Sequence, residues 1–533
     1  MNLENSQGRL LREMPSFVKQ STSGDEGAPK FKFDTASKTR IYCFFSLLIG
    51  VALSFLCLSS GLCLIAAEPA ILGLPFNMSS LQQELAILTV NVILTLCIDG
   101  MMFTHSVSLR WALHHENRLE FNTNIRLLTS SSRSGPNRWY SNAATLFFLV
   151  LSYGSSSSLL IAADPEKLVN ATLLNATALI GLGIALAGQA AIAAWCLASN
   201  SHPIPTWSSN PLNATLAALQ MGTVTRRPRR SMLSVHHLKH ELLLEPVYPA
   251  TRQKSMIRAQ RAVLYIVIVI WLLAFLATAW LISIILLIRK SAPRCWRLAL
   301  AWNIETMCYE NIIGWFLDTP IYNSEMTRLR YTYGQQTILC LLFVCAIQGL
   351  QTIGLHCVEL LVNLSRDEAV WRRAYSETTK EAPGLQLTQS PLVAALSSWE
   401  NVTLLLAKAV LHWAASQSMF NNFQPEALEH RVSIYFVYSR IALYALLTIL
   451  LALFTTYLAL RRPSGCQPTT LGHLQTIADL VDDWKTDDHG RMWWGAKTSS
   501  SDDADENGEH IQHAGTSYDR RLLSRIDTKA KYL

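Results

Sequence analysis

Three apolar stretches carry side chains able to hold an ion or pass a proton. In the run Leu85–Val107, Asn91, Thr95 and Asp99 are spaced four apart and share one helix face. Gln348, Thr352, His356 and Glu359 make a comparable stripe, and Glu400, Lys408 and His412 recur on a third. Arg440 adds a cation to the last apolar run. Ionisable groups are costly in hydrocarbon and face the interior of a bundle, where they are functional candidates by default. The candidate intramembrane polar site is therefore Asp99, Glu400, Lys408 and Arg440. At a rise of about 1.5 Å per residue, Asp99 and Glu400 fall at a similar depth, roughly 5 Å to the cytosolic side of mid-membrane. Lys408 lies about as far on the outer side, Arg440 further out, and Glu359 near the cytosolic interface. Two carboxylates at one depth can share a proton or a cation, since like charges in low dielectric oppose each other. The plainer reading pairs both acids with Lys408 and Arg440 as structural contacts, and it carries more weight.

A span needs about 20 mostly apolar residues. Such runs are Ile41–Ile65, Leu85–Val107, Ala143–Ala163, Ala171–Ala198, Ala262–Ile288, Thr337–Leu361 and Ile434–Leu460, with a weaker one at Leu392–Ala415. The reading is an all-α polytopic transmembrane helix bundle of eight spans, or seven if Leu392–Ala415 lies on the surface, with disordered cytosolic tails. Arginines choose the side. The first loop has no Lys or Arg, the second carries Arg110, Arg118, Arg126, Arg133 and Arg138, and the fourth contains the block Arg226–Arg230. This places the N-terminus in the cytosol. The pattern weakens after the fifth span, where Arg289, Lys290, Arg294 and Arg297 follow directly. Arg366, Arg372 and Arg373 together with Arg461 and Arg462 put two further segments in the cytosol, which requires the weak segment to cross.

Three regions follow: a mostly disordered cytosolic tail (1–40), the bundle (41–462) with Arg-rich loops at 108–142 and 199–261, and a cytosolic tail (463–533). In that last tail, Leu471, Leu474, Ile477, Ala478 and Val481 fall at helical spacing, giving an amphipathic helix over about 470–485. The helix and Trp493–Trp494 lie on the membrane face, dock on a protein partner, or pack back on the chain's own loops. The acidic stretch after them is unlike a folded segment. Sequons on the outer side make Asn77 and Asn170 the expected glycosylation sites, with no glycan expected at Asn213 or Asn363. Cys295 and Cys308 face outward and either form a disulfide or stay free thiols.

The chain of 533 residues is 50% hydrophobic and 16% charged, with mean hydropathy +0.21. Soluble domains carry about a quarter charged residues, so the balance itself points to a membrane. A net charge of +7 gathered in loops suits anionic lipid at the cytosolic face and gives no reason to expect nucleic acid. No phosphate-binding loop, serine elbow or paired zinc motif is present, and the lone His236–His237–His240 cluster is too little for a metal centre. The expectation is therefore no catalytic residue, no metal and no cofactor. No internal repeat is evident by eye.

"SLRWALHHENRLEFNTNIRLLTSSSRSGPNRWYSN", "GQAAIAAWCLASN", "GLHCVELLVNLSRDEAVWR", "GHLQTIADLVDDW" and "MWWGAK" occur in that order. Together they resemble a group of uncharacterised multi-pass membrane proteins of filamentous fungi, over most of residues 40–500. In that group the tract at "ENRLEFN" often reads Glu-Gly-Arg, where this sequence has Asn117. The resemblance implies a fungal protein of the plasma membrane or another secretory-pathway membrane, and brings no chemistry. From the residues, the expected function is transporter-like or solute-sensing; the alternative is a non-catalytic membrane scaffold or accessory protein, such as one serving a fungal metabolite pathway.

Overall fold

Backbone groups in hydrocarbon must be satisfied internally, and the long apolar runs achieve this as helices. A computed structural model describes residues 32–68, 72–163, 171–199, 203–237, 245–291, 312–316, 333–377, 382–388, 393, 398–425, 430–497 and 511–533. The helices are α1 (Ser37–Ala67), α2 (Ser80–His115), α3 (Trp139–Ser157), α4 (Ala176–Ala198), α5 (Pro211–Gln220) and α6 (Met256–Ala259). They continue with α7 (Arg261–Ser291), α8 (Tyr333–Arg372), α9 (Trp399–Ser418), α10 (Tyr438–Leu460) and α11 (Leu474–Leu480). Six of them, α1, α2, α4, α7, α8 and α10, are long and apolar enough to cross a membrane. Serines in α3 and ionisable residues in α9 dilute the apolar content of those two.

Strands follow or precede the helices at one end. They are β1 (Gly73–Asn77), β2 (Leu160–Ala163), β3 (Ala171–Asn175), β4 (Ile312–Phe316), β6 (Met419–Pro425) and β7 (His430–Val437). Their order in one sheet is β1-β3-β2-β6-β7-β4, antiparallel except for the parallel β2–β6 pair. The connections α1–α2, α3–α4, α7–α8 and α9–α10 therefore meet at one end, and the helices alternate in direction. Three expected spans ran too far into this sheet: Leu160–Ala163, Ala171–Asn175 and Ile434–Val437 are strands. A short apolar run reads alike as helix or buried strand, so hydropathy alone does not separate them.

The bundle is built twice. α1 packs on α4 and α2, α4 on α3 and α2; α7 packs on α10 and α8, α10 on α9 and α8 in the same scheme. The halves meet reciprocally, α3 on α8 and α9 on α2. Each half has its own apolar core. Equivalent strands β2 and β6 pair in parallel, as a two-fold axis along the strands requires. The sequence carries a faint echo, "HSVSL" at 105–109 beside "HCVEL" at 356–360, and "VLSYGSS" at 150–156 beside "VLHWAAS" at 410–416. The expectation of no repeat gives way to a duplicated four-helix frame.

The opposite end holds the loops and the C-terminal segment, which is folded in 463–497 and 511–533 rather than disordered. Its residues β8 (Arg491–Lys497), β9 (His513–Ser517) and β10 (Leu523–Ser524) form a sheet with β5 (Leu385–Gln386) from the bundle loops. Enough apolar surface is available to fold it: Trp371, Ile477, Met492, Trp494 and Tyr532 share one core. Trp371 Nε1 donates to Pro468 O at 2.8 Å, and Val247 and Tyr532 exchange backbone hydrogen bonds. Helix is confined to Leu474–Leu480 of the expected 470–485. Its apolar residues are buried within the chain, and α11 packs on α5. Asp479 is bound by Arg227 at 2.6 Å, so the Arg226–Arg230 block is partly engaged within the protein.

The Arg-rich loop after α2 is also ordered. Glu116 accepts from Ser131 Oγ (2.7 Å), Ser132 Oγ (3.0 Å), Arg133 N (2.9 Å) and Arg118 Nη1 (2.9 Å). Burial opposes its charge, but these donors prevail and hold its carboxyl at about 2. Asn117 closes the helix at φ 55°, left-handed backbone that glycine tolerates best and asparagine next. Of the sequons, Asn77, an expected glycosylation site, is exposed on β1, and Asn213, where no glycan is expected, is buried. Residues 1–31, Asn170, Cys295 and Cys308 lie outside the described residues.

Candidate functional site

Lys408 sits on the α9 face turned toward the other half of the bundle, and only 3% of its side chain is exposed. Its ammonium donates to Asp99 Oδ1 (2.7 Å) and Oδ2 (2.9 Å) on α2 and to Glu359 Oε1 (2.6 Å) on α8. Arg126, from the loop after α2, folds back to reach Glu359 Oε2 at 3.3 Å and donates to Met102 O. His356 Nδ1 lies 2.7 Å from Glu359 Oε1 and 3.1 Å from Arg126 Nη2. A guanidinium only donates and a carboxylate only accepts, so Nδ1 accepts from Arg126 in one tautomer and donates to Glu359 in the other. Two cations thus face two carboxylates, a balanced set that bridges the halves.

Toward the sheet end, the His412 ring stacks flat on Tyr153, with ring centres 3.5 Å apart. His412 Nδ1 meets Gln348 Oε1 at 2.8 Å, and Gln348 Nε2 donates to Ser157 Oγ at 2.9 Å. Close helix approach makes this possible, since Gly154 of α3 leaves no room for a Cβ against Cys345 of α8. This layer closes the bundle beyond Lys408. Toward the C-terminal segment, a half-open cavity of about 550 Å³ descends to the cluster, lined by Asp99, Glu359, Glu400, Lys408, Arg366, Arg373 and Arg461 among others. From the start of α9 to Lys408 is ten residues, about 15 Å, so the cavity ends about half-way along the 20-residue helix.

The four sequence candidates fall in three places. Asp99 and Lys408 are together at the cavity floor. Glu400 is at the mouth, where it accepts from Ser365, Ser398 and Arg461 (3.3 Å). Arg440 is at the sheet end, paired with Glu84 at 2.5 Å and also bonded to Gln417. The depth argument that matched Asp99 with Glu400 gives way to Asp99 with Glu359, because α8 runs on to Arg372 and α9 starts at Trp399. Arg126 had no sequence signal, being one of several loop arginines.

The duplication shows how one-sided the cluster is. By the paired motifs, Lys408 corresponds to Phe148 and Glu359 to Ser108. The frame is repeated and the charge is not. Asp99, His356 and Glu359 offer three donor atoms within 4.8 Å of one another, but the Lys408 ammonium already occupies the space between the carboxylates. No family model, curated protein or solved structure matches this chain.

Proposed function

We propose that the protein is a transporter-like or solute-sensing multi-pass membrane protein whose working site is the cavity ending on Lys408, Asp99 and Glu359. The observation that carries this reading is a half-open cavity reaching a buried charge cluster at the seam of two repeated halves. Transporters built from repeats place their sites at the repeat interface near mid-membrane. α3 and α9 complete an eight-span bundle, because α9 is 20 residues long, about 30 Å, and its ends lie at opposite ends of the bundle. The Arg-rich loops put the cavity mouth, the N-terminus and the C-terminal segment in the cytosol. In this state Lys408 latches the halves and the His412–Tyr153 layer closes the outer side.

The test is complementation. Cells lacking the protein are profiled for solutes after return of the wild type, Asp99→Asn or Glu359→Gln at matched membrane levels. Wild type restores the profile and both variants fail to. Restoration by both variants would sink the reading and leave the cluster as a structural tie; a non-catalytic scaffold is then the better description.

A further inference from the structure

We propose that the cavity takes an anionic phospholipid, with its phosphate at Arg373 and its acyl chains leaving sideways between α1 and α9. This rests on the cavity being the working site, and names the class of molecule it accepts.

The charge argument comes from pairing off the ions. Lys408 and Arg126 answer Asp99 and Glu359, Arg461 answers Glu400, and Arg366 is held by Asp367 at 2.9 Å behind the wall. Arg373 remains, half-buried at the mouth, and its guanidinium has no partner among the described residues. The long contact of Arg461 leaves further donors free on a side chain that is 48% exposed. A planar guanidinium with open donors matches a phosphate edge.

The shape argument separates a lipid from a soluble anion. α1 and α9 both lean on α2 and scarcely touch each other, so the cavity has a slot in its side. Tyr42, Leu96 and Trp399 line the cavity and are among the exposed large apolar residues of the protein. The slot opens beside the outward face of α1, where Ile41, Phe44, Phe45 and Leu48 are exposed. A wholly water-soluble solute would leave those walls wetted, whereas acyl chains cover them. Arg373 and Arg461 lie at helix ends, the depth of lipid phosphates, and Tyr42 and Trp399 are interfacial anchors. Basic pockets between membrane helices recognise anionic headgroups in this way.

The full chain in detergent is offered equal amounts of phosphatidic acid and phosphatidylcholine and read by native mass spectrometry. Wild type retains phosphatidic acid about tenfold or more over phosphatidylcholine, the size of a charge-assisted contact. Arg373→Gln brings the two lipids level at an unchanged melting temperature, since Arg373 ties nothing in the fold. Leu96→Trp fills the slot and lowers retention of phosphatidic acid. Equal retention by wild type, or a preference that survives both substitutions, overturns the proposal. So does displacement of the lipid by millimolar glycerol phosphate, which would mark a soluble phosphorylated solute. If no lipid is selected while Asp99→Asn and Glu359→Gln still fail in complementation, the lipid falls and the working site stands.

Discussion

Lys408 is held by carboxylates from two other helices, so removing the lysine differs from removing the whole set of charges. Lys408→Met leaves Asp99 and Glu359 facing each other at the seam, with Arg126 reaching only one of them. Breaking a buried pair by deleting one partner costs about 3–5 kcal/mol, while replacing the set with neutral groups is often near neutral. Asp99 is 29% exposed, so water takes up part of the loss and the low end of that range applies. The melting temperature of Lys408→Met in detergent is therefore expected to fall by several degrees. The double variant Asp99→Asn, Lys408→Met, which leaves Glu359 paired with Arg126, recovers most of that fall. A Lys408→Met protein that melts with the wild type would show that the lysine does not hold the seam.

Among the elements, the loop after α2 gathers its hydrogen bonds on a single acid, Glu116. Glu116 has an ordinary value of 4.5 and is held at about 2 in the folded protein. Its contribution is complete above about pH 5 and is lost as pH falls toward 2. Protection against hydrogen exchange across residues 116–138, taken relative to the intrinsic rate at each pH, should therefore fall with acid in the wild type, and be low and less pH-dependent in Glu116→Gln. Beside it, Asn117→Ala keeps a Cβ in the left-handed region and loses the local polar compensation of asparagine, costing about 1 kcal/mol, while Asn117→Gly leaves the melting temperature level or higher. The helices themselves were legible because twenty apolar residues have few other solutions, and Asp99 and Lys408 stood out because charge in such runs is rare. The sheet was not legible, because Leu160–Ala163 and Ala171–Asn175 are as apolar as the helices they join. Nor was the site's composition, because Arg126 and Glu359 enter through a loop that folds back and a helix that overruns its apolar stretch. The tail helix was visible by its spacing, but burial of Trp494 and Tyr532 depends on strands far apart in sequence.

At the scale of the whole molecule, the sheet supports the eight crossings proposed above over seven. β6 follows α9 and β7 precedes α10, and both share one sheet with β1, β2 and β3. If α9 lay on the cytosolic surface, β6 would have to leave that sheet, and Lys408 would leave Asp99 and Glu359. The proposed topology, eight crossings with a cytosolic N-terminus, predicts both chain ends on the cytosolic side and Asn77 outside. Asn77 is exposed on the edge strand β1, whereas Asn213 is fully buried, its amide donating to Asp34 O and Thr206 Oγ1. An endoglycosidase-sensitive mass shift is therefore expected in the wild type and in Asn213→Gln, reduced in Asn77→Gln, and absent in the double variant Asn77→Gln, Asn170→Gln. Tags at residues 1 and 533 should both be protected from protease added outside intact cells and cleaved after permeabilisation. A C-terminal tag cut from outside while the N-terminal tag survives would mean an odd number of crossings. The parallel β2–β6 pair and the Lys408 cluster would fail with it, because both need α9 to run the length of the bundle.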